Sequence, residues 1–232
     1  MPQLFHRSTN TVARASIILL LIVVSGAFWV FAEMQRSPYY SWRGVNREQP
    51  VPFSHQHHVS GLGLDCRYCH VTVEVSNFAG VPPTKTCMNC HSQIWTNAPM
   101  LEPVRESFRT GNSIQWIRVT NIPDFVYFDH SIHLNKGVGC KSCHGPVNEM
   151  PLMRAQYSMQ MEFCLNCHRD TAKELRPRES VFDMTYQQPT EGRPVTVNGQ
   201  QFTNQAELGS YLEKLYHVRG ERDITSCNTC HR

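Results

Sequence analysis

Residues 128–144 read FDHSIHLNKGVGCKSCH. The stretch closes on Cys140, Cys143 and His144, a Cys-x-x-Cys-His motif, and opens with His130 and His133 behind Phe128. Two thiols at i and i+3 lie on one face of a helical turn and can add to the two vinyl groups of one porphyrin. The adjoining histidine then meets the iron as proximal ligand. The pattern recurs at residues 66–70, 87–91, 164–168 and 227–231 and absorbs all ten cysteines. The spacing predicts five covalently bound c-type haems, attached through Cys66, Cys69, Cys87, Cys90, Cys140, Cys143, Cys164, Cys167, Cys227 and Cys230. His70, His91, His144, His168 and His231 are the expected proximal ligands.

Two other readings of Cys-x-x-Cys compete. Seventeen residues separate Cys69 from Cys87 and twenty separate Cys143 from Cys164, spacings that suit a zinc ribbon. A four-cysteine ribbon needs no histidine after each pair, however, and the fifth pair would have no partner. A disulfide within Cys-x-x-Cys closes a tiny loop and staples nothing distant.

Of the remaining histidines, His6 precedes the apolar segment and lies on the wrong side for ligation. The pattern Phe-x-His-x-x-His occurs twice, at Phe53-His55-His58 and Phe128-His130-His133. Ten residues lie between His55 and Cys66, nine between His130 and Cys140, and nine between His217 and Cys227. His55, His130 and His217 are therefore expected to cap the haem whose cysteines follow. His58 and His133, three residues on, are expected to reach neighbouring haems, which supplies a distal ligand for every iron. His57 is left spare. Met150, Met153, Met159 and Met161 crowd between the third and fourth motifs and stand as alternative distal ligands for the fourth, although core packing is the ordinary role of methionine.

Residues 15–32, ASIILLLIVVSGAFWVFA, hold 18 positions without a charge between Arg14 and Glu33. As a helix they span roughly 27 Å, close to the hydrocarbon thickness of a bilayer. His6, Arg7 and Arg14 precede the run and no acid does, so residues 1–14 are expected in the cytoplasm and everything after Glu33 on the periplasmic face of the cell membrane. A cleaved signal peptide ending near Val30 and Ala32 competes, but the run is longer than the roughly 7 to 15 apolar residues of that signal.

The 232 residues are 41% hydrophobic and 18% charged, which argues against wholesale disorder, and a net charge of +3 supplies no field for nucleic acid. The expected organisation is a cytoplasmic segment 1–14, an anchor helix 15–32 and a linker 33–49. A haem-pair module 50–96, a linker 97–124, a second haem-pair module 125–170 and an extension 171–232 with the last haem follow. The expected fold class is a multihaem cytochrome c of loops and short helices wrapped around five haems, plus the one transmembrane helix. Residues 206–217 look helical, with Leu208, Tyr211, Leu212 and Leu215 on one face, and 187–204 read as surface loop.

The amino-terminal anchor followed by FSHQHHVSGLGLDCRYCH, GVPPTKTCMNCHSQIW, DFVYFDHSIHLNKGVGCKSCHG and MEFCLNCHR resembles the membrane-anchored pentahaem cytochrome c subunit of bacterial alternative complex III, a quinol:acceptor oxidoreductase. The likeness covers most of the chain to about residue 175. The Phe-x-His-x-x-His elements also resemble small cytochromes of the c7 and c3 type. The resemblance implies a relay within a membrane complex. Its partners would be a polytopic quinol-binding subunit, an iron-sulfur subunit that donates electrons, and a monohaem cytochrome subunit or soluble acceptor that receives them. Nothing in the sequence supplies a catalytic acid, base or nucleophile. The alternative is an enzyme in its own right, either a quinol dehydrogenase or a pentahaem reductase with an open haem.

Overall fold

The computed structural model describes residues 5–231; the first four residues of the expected cytoplasmic segment and Arg232 lie outside them. The chain forms two compact units, Met1–Arg43 and Gly44–Arg232.

The first unit is dominated by one 28-residue helix, Thr9–Arg36. Its apolar side chains are exposed along its length. The two hydroxyls inside the uncharged run 15–32 are satisfied locally, since Ser16 Oγ donates to Ala13 O and Ser25 Oγ to Leu21 O, at 2.9 and 2.8 Å. Such back-bonding removes an unpaired donor from an apolar surface. The helix is longer than the uncharged run 15–32, because polar residues at either end continue the backbone ladder until Pro38 enforces a break.

The second unit is built of short helices joined by loops. Three of them start on side-chain caps. Asp65 accepts from Arg67 N ahead of Cys66–Cys69, Asp129 from Ile132 N ahead of His130–Asn135, and Asn204 from Glu207 N ahead of Gln205–Leu215. The histidines 57 and 58 lie on a π-helical turn, Gln56–Gly61.

Three small apolar clusters hold this unit. Val51, Leu101 and Val104 pack with Cys87 and Met88. Val73, Leu134 and Val181 pack with Ala79 and Cys140. Leu175, Val197, Phe202, Leu208, Leu212 and Tyr216 form the largest cluster. In it the helix Gln205–Leu215 approaches residues 171–173 so closely that a Cβ on Gly209 would lie 2.1 Å from Ala172 O.

The second cluster joins the loop after the first motif, in the expected module 50–96, to the helix that opens the third, in the expected module 125–170. One expectation changes here. The supposed surface loop 187–204 contains an antiparallel hairpin, Val195–Val197 with Gln200–Phe202. Its Val197 and Phe202 are buried beneath the helix Gln205–Leu215. Gly199 at φ +81° makes the turn, which Gly tolerates without a steric penalty.

Candidate haem sites

Each motif winds its cysteines into one helical segment: Cys66–Cys69, Thr84–His91, Cys140–His144, Met161–Arg169 and Cys227–Cys230. All ten cysteines are free thiols. Burial pushes Cys143 up to about 12 and Cys167 to about 11, so both are protonated as free thiols. No group of three or more His, Cys, Asp or Glu side chains among the described residues is arranged to hold a metal ion by itself.

The imidazoles share a common hydrogen-bond plan. His70 Nδ1 donates to Gly80 O at 2.7 Å, His91 to Ile94 O at 3.3 Å, His168 to Ile224 O at 2.8 Å and His231 to Phe125 O at 3.1 Å. Among the upstream histidines, His58 donates to Ser54 O at 2.8 Å, His130 to Asn77 O at 2.8 Å and His133 to Asp129 O at 2.7 Å. A carbonyl only accepts, so the proton sits on Nδ1 and Nε2 keeps its lone pair for a metal. His55 and His144 differ, for their Nδ1 atoms are buried without a protein partner. Burial, reinforced by neighbouring histidines, pulls both down to about 4 and keeps them neutral, the form that ligates.

Three proximal rings face an upstream ring. His58 and His91 have centroids 6.3 Å apart, His130 and His144 6.4 Å, and His133 and His168 6.1 Å. The second pair is parallel to within 4° and the third to within 21°. Two metal–nitrogen bonds of about 2 Å in line, with half an imidazole at each end, need roughly this separation. The donor set therefore fits an iron between each pair. His55 lies among His70, His58 and His144, close enough for its charge to be disfavoured by all three.

The phenylalanine of each Phe-x-His-x-x-His element proves to be a bracket for both of its histidines. Phe53 stacks on His58 at 4.3 Å and meets His55 edge-on at 4.9 Å. Phe128 repeats this with His133 at 4.5 Å and His130 at 4.8 Å. The recurrence of Phe in the sequence was the available signal. His57, left spare by counting, stacks on Trp95 at 5.9 Å.

The fifth motif departs from the plan. His217 is exposed at φ +51°, beyond the helix Gln205–Leu215, with its carbonyl accepting from Lys136 Nζ at 3.1 Å. Its neighbour Tyr216 is anchored in the C-terminal core. Among the described ring contacts His217 does not meet His231, which lies instead on Phe125 at 5.9 Å. Of the methionines, Met150 is fully buried and Met161 is exposed, and the fourth proximal histidine, His168, faces His133.

The motifs are tied in an order other than that of the chain. Asn89 Nδ2 donates to Tyr68 Oη at 3.0 Å, joining the second motif to the first. The Cys66 and Cys140 thiols lie close enough to shift each other, Cys140 upward and Cys66 downward, so the first and third tethers lie side by side. His130 and His133 on one turn face the third and fourth proximal histidines. His168 reaches the segment before the fifth motif through Ile224 O. The spatial order is second, first, third, fourth, fifth.

Residues 126–232 match the family model described as cytochrome c7 and related cytochrome c, a span that contains the third to fifth motifs. With the motif geometry above, residues 126–232 form a domain like that of the cytochromes c7. The chain is related to the menaquinone reductase multihaem cytochrome c subunit of Nitratidesulfovibrio vulgaris, to which it is 33% identical over 154 residues. The match takes in 66% of this chain and 63% of that one, so the chain spans less than two thirds of this relative's length.

Proposed function

We propose that this chain is the electron relay of a quinone-linked membrane complex, with five c-type haems held at its five motifs. What supports the reading above all is the facing of His58 with His91, His130 with His144 and His133 with His168 at about 6 Å. When bound, c-type haems supply reversible one-electron storage. The chain's part is to tether them, and at three motifs the pairs His58–His91, His130–His144 and His133–His168 would hold the iron between two imidazoles, leaving no room there for substrate. It also sets them side by side in the order described. The helix Thr9–Arg36 serves as a single-pass membrane anchor with residues 1–14 cytoplasmic and the haem unit on the periplasmic face.

The partners are a polytopic quinone-binding subunit, an iron-sulfur subunit, and a monohaem cytochrome or soluble acceptor, as in an alternative complex III. The related protein is named for quinone reduction rather than quinol oxidation. A chain of bis-histidine sites carries current either way, so the direction belongs to the partners. The test is intact mass of the purified chain, which should show five covalent tetrapyrroles, followed by quinol-analogue assays of the whole complex and of the chain alone. Turnover by the complex and none by the isolated chain is expected; a mass without tetrapyrroles sinks the proposal.

One observation favours a second reading, a ligand-binding haem at the fifth motif: among the described ring contacts His231 meets Phe125 and no upstream imidazole. Carbon monoxide binding to one haem of the reduced chain would support it, and five saturated haems would dismiss it.

A further inference from the structure

The segment after the fourth motif folds back along the third. Val138 bridges to Leu175, Arg176 N donates to Gly137 O at 2.9 Å, and Cys140 N donates to Val181 O at 3.2 Å. This strap lays the Arg176 guanidinium across Gly139, the residue before Cys140. A Cβ on Gly139 would fall 2.3 to 2.6 Å from its Cζ, Nε and Nη1, so a side chain there would displace the guanidinium from its present seat.

Arg176 is the charged residue that is buried among the described residues, at 7% exposure. Nη1 donates to Asp183 O at 3.3 Å, and the group lies over the Tyr186 ring at 4.7 Å. Nε is buried and has no protein partner. Two strap carboxylates, Glu174 and Asp183, act on Arg176 from a distance, and Asp183 spends Oδ1 on Thr185 N and Oγ1 at 2.8 and 2.7 Å. The ion pairs among the described residues engage Arg36, Arg67, Arg105, Arg109 and Lys173 instead. A guanidinium stays charged in proteins, and a buried cation without an ion-pair partner is costly unless something else rewards it.

We infer that Arg176 is a potential-setting residue: its buried, unpaired guanidinium on Gly139 raises the reduction potential of the haem held at Cys140 and Cys143, and of its neighbour at Cys66 and Cys69. The inference rests on the relay reading above. Reduction removes one positive charge from the iron, so a fixed cation nearby favours the reduced form, and the effect is strong where the surroundings exclude water. Because the two tethers lie side by side, one charge acts on both, at the middle of the spatial order rather than at either end.

The competing role is packing alone, with Arg176 as filler above Gly139. Arg176→Gln and Arg176→Lys in the full-length chain separate the two by spectroelectrochemical titration, with haem content checked by mass. Arg176→Gln should retain five haems and lower at least one midpoint by a tenfold change in its reduction equilibrium, 59 mV for one electron. Arg176→Lys, which keeps the charge, should leave the midpoints near wild type. Unchanged midpoints in Arg176→Gln overturn the inference, and so does an equal fall in both variants, because packing would then be the cause. If Arg176→Gln does not load its haems, Asp183→Asn decides: removing an opposing carboxylate should raise the same midpoints, and no rise overturns the inference. A wild-type chain without covalent haem would instead fail the relay reading.

Discussion

The segments 53–66 and 217–227 look alike in sequence, since each sets a histidine nine or ten residues ahead of a Cys-x-x-Cys-His motif. They fold differently. In the first, Phe53 brackets His55 and His58, and His58 faces His91; residues 128–140 repeat the device with His130 and His133. In the second no aromatic bracket stands beside His217, the preceding Tyr216 is committed to a hydrophobic core, and the imidazole is left in solvent. Spacing places a histidine within reach of a motif; an aromatic platform and a backbone acceptor for Nδ1 aim it.

The largest effect expected from this contrast follows from removing a tether. Cys164→Ala combined with Cys167→Ala should lower the intact mass by one tetrapyrrole, while the same pair of changes at Cys227 and Cys230 should also remove one but leave the low-spin bis-histidine signals intact. Loss of such a signal in the second variant would erase the difference between the two regions.

Next comes His133→Ala. One haem should become high-spin in the electron paramagnetic resonance spectrum and bind carbon monoxide when reduced, whereas His217→Ala should leave both readouts at wild-type levels. A high-spin conversion in His217→Ala would restore the ligand that spacing suggested.

A smaller effect is expected at the bracket. Phe128 is half-buried, so Phe128→Ala should cost about 1–2 kcal/mol in denaturant unfolding and broaden the signals of the third and fourth haems. The exposed Phe125, on His231, should cost within about 0.5 kcal/mol on the same change. Smallest of the destabilising changes in the first region is Asp129→Ala, which removes the cap ahead of His130 and should cost about 1 kcal/mol. A bracket variant as mild as Phe125→Ala would show that the aromatic ring does not aim the histidines.

The sequence by itself determined whatever is local. Two thiols and an imidazole fit within one helical turn, so the five attachment sites, the proximal histidines and the apolar anchor segment could be read from spacing and run length alone. The Phe-x-His-x-x-His repeat was legible for the same reason, although the purpose of its phenylalanine was not. Only the tertiary structure decided which imidazoles face each other, that the motifs lie in the order second, first, third, fourth, fifth, that His217 is exposed, and that Arg176 is buried on Gly139. Those outcomes depend on segments brought together across as many as a hundred residues by three small apolar clusters. No periodicity along the chain records which cluster a loop will join.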